Sequence, residues 1–197
     1  MINERLLKQI GFIVEIDKLK QIFRQNVVIG TVRNENDAEH SWHLALMAIL
    51  LSEYSKDKDI DILRVIKMVL IHDLVEIDAG DTFCYDEKGY EDKAEREKKA
   101  AQRLFNILPS DQAMEIWDLW REFEELETPE SVYAACMDRL QPLLLNYNTN
   151  GHTWQKPGVT SEKVLKRNEL LEKNAPELWK FVKEVIEDSI GKGILKR

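Results

Sequence analysis

The chain has 197 residues, 44% of them apolar, which is enough for one domain with a buried core. Its net charge of −8 argues against a nucleic-acid polymer as a partner, because such a partner needs a basic face. The two cysteines form no CxxC pair, and no apolar run has the length of a signal peptide or a membrane span. We therefore expect a cytoplasmic protein without a zinc ribbon, a disulfide scaffold or a membrane segment.

The first predicted element is an amphipathic helix or a pair of helices. Apolar residues recur there at three- and four-residue intervals, namely at Leu6, Ile10, Ile13, Ile16, Leu19 and Phe23. Gly30 and the polar run NENDAE then indicate a loop. Asp37 is the predicted N-cap of the next helix, whose apolar stripe includes Leu44 and Met47.

Asp61 is the predicted N-cap of a third helix, ILRVIKMVLIHDLVEID, which Gly80 is expected to end. A loop of about a dozen residues follows, and loops of that length are more often functional than idle. The later helix boundaries are predicted from capping and helix-breaking residues, namely Pro109, Ser110 or Asp111, Pro129, Pro142, Thr160, Asn174 and Gly191. Pro142 should kink its helix or shift the register.

The pattern as a whole predicts an all-α fold, with roughly seven to nine helices at typical helix lengths. No internal repeat or linker divides the chain. We therefore expect one domain over residues 1–197, with a core over about 15–170 and a C-terminal helix over about 174–190.

Four histidines are available for metal binding: His40, His43, His72 and His152. His72 is followed directly by Asp73 in an apolar helix, and an imidazole with a carboxylate suits a divalent transition metal. His40, near the start of a buried helix, and Asp138, on the apolar face of a later helix, are candidates for the remaining ligands. A His–Asp pair alone usually has no function, and Asp138 could instead pair with Arg139 or cap a helix.

Three segments resemble the HD-domain superfamily: RNENDAEHSWH (33–43), IHDLVEIDAGD (71–81) and MDRLQPLLLNY (137–147). Within it they are most similar to the 5′-deoxynucleotidase branch, the bacterial YfbR-like proteins and their eukaryotic relatives. The resemblance spans roughly residues 15–170. It implies a helical bundle of the HD-domain type that binds one divalent cation, which could be Co, Mn, Mg, Fe, Ni or Zn.

The resemblance implies His40, His72, Asp73 and Asp138 as the metal ligands. His43 falls outside the pattern and is more simply a core histidine, and His152 is expected to be exposed in a loop. These metal ligands are the central prediction of the sequence.

Glu76 lies four residues after His72, so the same helix face should carry its carboxylate near the metal. It could orient the attacking water or accept its proton, as the resemblance also implies. The alternative is an ordinary carboxylate at a helix end. The resemblance further implies a catalytic role for Asp81 and contact with the substrate sugar, with Thr82 and then Phe83 and Cys84 beside it. Asp81 could also be a simple turn residue.

Arg24 resembles the arginine that orients the phosphate in the family. Arg33, just before the helix of His40, is the second candidate for phosphate contact, because a guanidinium matches the planar geometry of phosphate oxygens. Either arginine could instead form a salt bridge with Glu35 or Glu39.

The leading hypothesis is a small-molecule reaction, the hydrolysis of deoxyribonucleoside 5′-monophosphates to deoxyribonucleosides and phosphate. One alternative keeps the metal site but changes the nucleotide to a triphosphate, a cyclic nucleotide or guanosine tetraphosphate. Another is a non-catalytic helical protein with a structural metal. The resemblance also implies a homodimer, for which Trp117, Trp120 and Trp179 offer apolar surface unless they belong to the core.

Overall fold

The computed structural model describes residues 3–197 and is mainly helical. The helices are α1 (Glu4–Ile16), α2 (Asp37–Leu50), α3 (Ile62–Ile71), α4 (Glu76–Ala79), α5 (Lys93–Phe105), α6 (Ser110–Glu125), α7 (Pro129–Asn148), α8 (Ser161–Asn168), α9 (Leu170–Asn174) and α10 (Pro176–Gly191). Short 3₁₀ turns occupy Asp17–Gln21, Ser52–Tyr54 and His72–Val75. The predicted all-α class is confirmed, and no helix within 3–197 has the length and apolar character needed to cross a membrane.

A short antiparallel hairpin was not predicted. Strand β1 (Phe23–Val27) pairs with β2 (Asn34–Asn36), and Gly30 in the connecting turn has a φ of 77°. The prediction that Phe23 continues the first helical face was wrong, because α1 has already ended and half of the Phe23 side chain is exposed. Apolar spacing alone could not reveal this, since the pairing partner β2 is entirely polar.

Helix α2 begins with a capping box. The Asn36 side chain accepts a hydrogen bond from the Glu39 amide at 2.9 Å, and the Glu39 carboxylate accepts one from the Asn36 amide at 3.1 Å. Asn36 is therefore the N-cap, and the prediction of Asp37 was wrong by one residue. This leaves the buried carboxylate of Asp37 available for contacts inside the molecule.

The predicted helix over 62–78 is interrupted in the structure. Asp61 caps α3 as predicted, but residues His72–Val75 form a 3₁₀ turn before the short α4. Gly80 follows α4 with a φ of 76°, which confirms it as the helix end. Side chains three residues apart are nearly eclipsed in a 3₁₀ turn. The turn therefore places the side chains of Asp73 and Glu76 on the same side of the backbone.

Helix α7 lies at the centre of the fold and contacts α2, α3, α6, α8, α9 and α10. Pro129 occupies its first turn as predicted, and Tyr133, Met137 and Leu140 are completely buried. The helix continues through Pro142 to Asn148. Two tryptophans expected either in the core or on a surface, Trp120 and Trp179, are each only 8% exposed and belong to the core.

The C-terminal helices pack against α7. Thr160 caps α8 as predicted. Asn174 does not cap α10, because its amide instead donates to the Leu170 carbonyl at 2.8 Å and α10 starts at Pro176, after Ala175. Helix α8 packs directly against α7.

Candidate metal centre

The four predicted metal ligands meet at one point in the bundle. His40 comes from α2, His72 and Asp73 from the 3₁₀ turn after α3, and Asp138 from α7. The Nε2 atom of His40 lies 3.1 Å from Oδ1 of Asp138, and Nε2 of His72 lies 3.9 Å from the same oxygen. His72 Nε2 is also 3.1 Å from Asp73 Oδ1, and His40 Nε2 is 3.9 Å from Asp73 Oδ2. Three mutually packed elements therefore place all four groups around a common centre.

The orientation of His72 favours metal binding. Its Nδ1 lies 3.0 Å from the carbonyl oxygen of Val69, so Nδ1 must donate, and in the neutral imidazole Nε2 carries the lone pair. That buried Nε2 has no hydrogen-bond partner among the described residues. A ring held by a backbone carbonyl on one side, with its free nitrogen towards carboxylates, is the usual arrangement of a metal-binding histidine.

His40 is completely buried, and a second carboxylate that was not predicted from the sequence, Glu35, lies near its ring. Burial, followed by the positive charge of Arg24, lowers the pKa of His40 to about 4, so its ring is neutral near neutral pH. Its Nδ1 lies 3.8 Å from Oε2 of Glu35, whose Oε1 accepts a hydrogen bond from Gln141 at 2.6 Å. Glu35 was expected only as a partner for an arginine, because β2 was not predicted.

Buried carboxylates outnumber the cations around this point. Asp37, Asp73 and Glu76 offer oxygens within 4.8 Å of one another, next to the histidine cluster. Burial and the charges of Asp73 and Asp37 raise the pKa of Glu76 well above its usual range. Burial and then Asp73 raise the pKa of Asp37 to about 7. Asp37 therefore belongs to this cluster, although the sequence predicted it only as a helix cap.

Asp138 behaves differently from the other carboxylates. Burial alone would raise its pKa, but the hydrogen bond from His40 and the charge of Arg167 hold it well below the usual range. The carboxylate is therefore ionised. Two imidazoles and two carboxylates, all largely buried, match the donor set that divalent transition metals accept. The residues present thus fit a divalent cation.

The cluster opens onto a cavity of about 190 Å³. Its walls include most of the residues predicted from the sequence, namely Arg24, His72, Asp73, Glu76, Asp81, Thr82, Phe83, Cys84 and Asp138. Glu76 is 5% exposed, and one of its oxygens has no hydrogen-bond partner in the described part of the chain. Burial raises the pKa of Asp81.

The two predicted phosphate-binding arginines have different positions. Arg24 is 12% exposed, and its Nη1 donates to Asp73 at 2.8 Å and to Asp37 at 3.2 Å. Arg33 forms a two-pronged pair with Glu39 at 2.8 Å on the surface and does not line the cavity. The expectation of phosphate contact for Arg33 is therefore corrected: its position before α2 directs it to the exposed first turn.

Two other arginines lie at the cavity. Nη2 of Arg167, on α8, lies 3.5 Å from Oδ2 of Asp138. Arg139 forms no ion pair or side-chain hydrogen bond within residues 3–197, although the sequence left a pair with Asp138 open. Burial and then the charge of Arg167 lower the pKa of Arg139. Nothing in the sequence distinguishes Arg167 from the other charged residues of its polar helix, so Arg167 was not predicted as a site residue.

The two remaining histidines lie outside the centre. His43 is half-buried, and its Nδ1 lies 3.3 Å from the amide of Gln141. His152 is exposed in the loop after α7, as expected.

Comparisons with known proteins agree with this geometry. The family model described as HD domain matches residues 16–179. The structure resembles the crystal structure of a predicted metal-dependent phosphohydrolase from Magnetospirillum magnetotacticum, with a TM-score of 0.92 and 49% identity over 100% of both chains.

Two curated relatives carry the name 5′-deoxynucleotidase HDDC2. The Xenopus laevis protein is 29% identical over 71% of this chain, and the Dictyostelium discoideum protein is 33% identical over 66%. The matched regions span 65% and 71% of those two proteins. Together with the family match and the crystal structure, they show that this chain belongs to the HD-domain family.

Proposed function

We propose that the protein is a metal-dependent phosphomonoesterase that hydrolyses deoxyribonucleoside 5′-monophosphates to deoxyribonucleosides and phosphate. The observation that carries the proposal is the buried cluster of two imidazoles and two carboxylates at the base of a cavity that also contains Arg24 and Glu76. The names of the frog and slime mould relatives support this substrate class.

His40, His72, Asp73 and Asp138 would hold one divalent cation. When bound, such an ion lowers the pKa of a coordinated water and polarises a phosphate. Two nitrogens and two oxygens do not choose among Co, Mn, Mg, Fe, Ni and Zn, because metal availability decides between similar ions.

Other side chains of the cavity have distinct proposed tasks. The Arg24 guanidinium can donate two parallel hydrogen bonds to phosphate oxygens. Glu76 is positioned to orient the attacking water and accept its proton, since its unpartnered oxygen is buried beside Asp73. Asp81, with Thr82 next to it, would accept a hydrogen bond from the 3′-hydroxyl of the sugar.

The openness of the cluster argues against a purely structural metal. A structural site leaves no coordination position open, whereas this cluster faces a cavity. A buried carboxylate such as Glu76, placed beside the ligands without a complete set of partners, has no purpose in a structural site.

The test is a phosphate-release screen on chelated protein supplied separately with Co²⁺, Mn²⁺ or Mg²⁺. The panel contains 5′- and 3′-monophosphates of ribo- and deoxyribonucleosides, together with triphosphates, cyclic nucleotides and guanosine tetraphosphate. We expect metal-dependent release from deoxyribonucleoside 5′-monophosphates above all others. Release of pyrophosphate or triphosphate, or equal activity without metal, would contradict the proposal.

The predicted homodimer is also a proposal. Helix α1 exposes about half of each of the apolar side chains of Leu6, Ile10 and Ile13, and such patches are common where proteins meet. Light scattering of the purified chain would give its mass, and a monomer at all concentrations would contradict a dimer.

A further inference from the structure

The carboxylate of Asp138 lies between two guanidinium groups. Arg24 approaches Oδ1 with its Nη2 at 4.0 Å, and Arg167 approaches Oδ2 with its Nη2 at 3.5 Å. The two arginines come from opposite ends of the chain, β1 and α8. They therefore approach different oxygens of the same predicted metal ligand.

The two arginines differ in how well they are satisfied. Arg24 donates to Asp73 and Asp37 at hydrogen-bond distance. The side chain of Arg167 has only its long contact with Asp138 among the described residues, and its buried Nε has no acceptor. A buried donor without an acceptor is costly, so such a group commonly indicates a missing polar partner.

A cationic cleft continues outward from Arg167. This cleft of about 330 Å³ shares Arg139 and Arg167 with the metal cavity and is also lined by Lys163 and Lys166. Glu87 is the single acid in its lining, although the chain as a whole has a net charge of −8. A local excess of positive charge in an acidic protein favours an anionic ligand.

We infer that Arg167, supported by Arg139, forms a second phosphate-binding arm that holds the substrate phosphate together with Arg24. The inference rests on the proposed function, since it assumes that a phosphate is bound beside Asp138. Arg167 is close enough, because its Nη2 is already 3.5 Å from a predicted metal-ligand oxygen. A guanidinium with free Nε–H and Nη–H donors matches two oxygens of a phosphate.

The alternative is that Arg167 only neutralises Asp138. In that case its removal would affect the metal site or the stability of the fold but not the affinity for phosphate in particular. Binding measurements separate the two, because inorganic phosphate carries the anionic group while deoxyadenosine carries only the sugar and base.

The experiment is calorimetric titration of inorganic phosphate, and separately deoxyadenosine, into the full chain loaded with Mn²⁺. For Arg167→Gln we expect phosphate binding weakened by about tenfold or more, the usual loss for a charge-assisted hydrogen bond, with deoxyadenosine binding unchanged. Arg167→Lys should retain part of the affinity. Arg121→Gln, which removes an exposed arginine paired with Asp118, should match the unmodified protein.

Unchanged phosphate affinity in an Arg167→Gln protein that keeps its Mn²⁺ and its Tm would overturn the inference. If that variant loses metal or unfolds, Arg139→Gln decides: a phosphate affinity several-fold weaker supports the arm, and an unchanged one overturns it. The titration needs no turnover. A chain that binds phosphate through Arg167 but hydrolyses no nucleotide would therefore contradict the proposed function while leaving this inference intact.

Discussion

The proposed metal-binding floor and the proposed substrate-facing rim of the cavity are built differently. The floor is made of His40, His72, Asp73 and Asp138 on packed elements. The rim is made of Asp81, Thr82 and Tyr90 on a loop, Arg139 on α7 and Arg167 on α8. His40 is completely buried, whereas a quarter of the Arg167 side chain is exposed. In the proposed function, fixed geometry would serve metal binding, and a more accessible wall would adapt to the substrate.

The largest effect is expected at the floor. Asp138→Asn removes a charged oxygen from the cluster, so bound metal should be lost and phosphatase activity should fall by roughly ten-thousandfold. Metal analysis and phosphate release measure the two losses. Asp118→Asn, on the exposed face of α6, is the matched control and should behave as the unmodified protein. If the Asp138→Asn protein keeps both its metal and its activity, the proposal that Asp138 is a metal ligand needed for hydrolysis is contradicted.

A slightly smaller effect is expected where floor and rim meet. Glu76→Gln keeps the size of the side chain but removes its ability to accept a proton, so kcat should fall by about a hundred- to a thousandfold. Metal content should remain unchanged, since Glu76 is not a predicted ligand. Glu125→Gln, an exposed residue of α6, is the control. If the variant loses its metal together with its activity, Glu76 would instead be a metal ligand.

Support behind the floor should matter for metal affinity. Glu35→Gln replaces the carboxyl group that lies 3.8 Å from Nδ1 of His40 by an amide, so metal affinity should decrease by about ten- to a hundredfold. Competition with a chelator of known affinity measures the change, and the exposed Glu53→Gln is the control. An unchanged metal affinity would mean that packing alone orients His40.

The smallest effect is expected at the rim. If Asp81 accepts a hydrogen bond from the sugar, the protein should prefer deoxyadenosine 5′-monophosphate over its 2′,3′-dideoxy analogue by about tenfold. Asp81→Ala should abolish that preference. The ratio of kcat/KM for the two nucleotides is the measurement. Glu91→Ala, in the same loop, should keep the preference. The same ratio in Asp81→Ala and the unmodified protein would place sugar recognition elsewhere.

The sequence was most informative about groups fixed by local pattern. His72 and Asp73 stand in an apolar segment, and Asp61, Pro129, Thr160 and Gly80 mark helix ends by their own backbone chemistry. These features depend on neighbours a few residues away, so one sequence contains them.

Long-range packing was not readable in the same way. Arg167 reaches Asp138 across 29 positions because α8 lies against α7, and Glu35 belongs to a polar strand that pairs with β1. Nothing in the composition of α8 or β2 specifies those neighbours. The residues that the sequence missed are therefore mainly those whose position is decided by tertiary contacts.

The 3₁₀ turn His72–Val75 limits how this protein could be engineered. Its tighter winding keeps Asp73 and Glu76 aligned, whereas a regular α-helix would rotate them about 60° apart. Substitutions that extend α3 through this segment would raise helix stability and simultaneously spoil the alignment. Thermostable variants should therefore be sought in other helices, with this one turn left as it is.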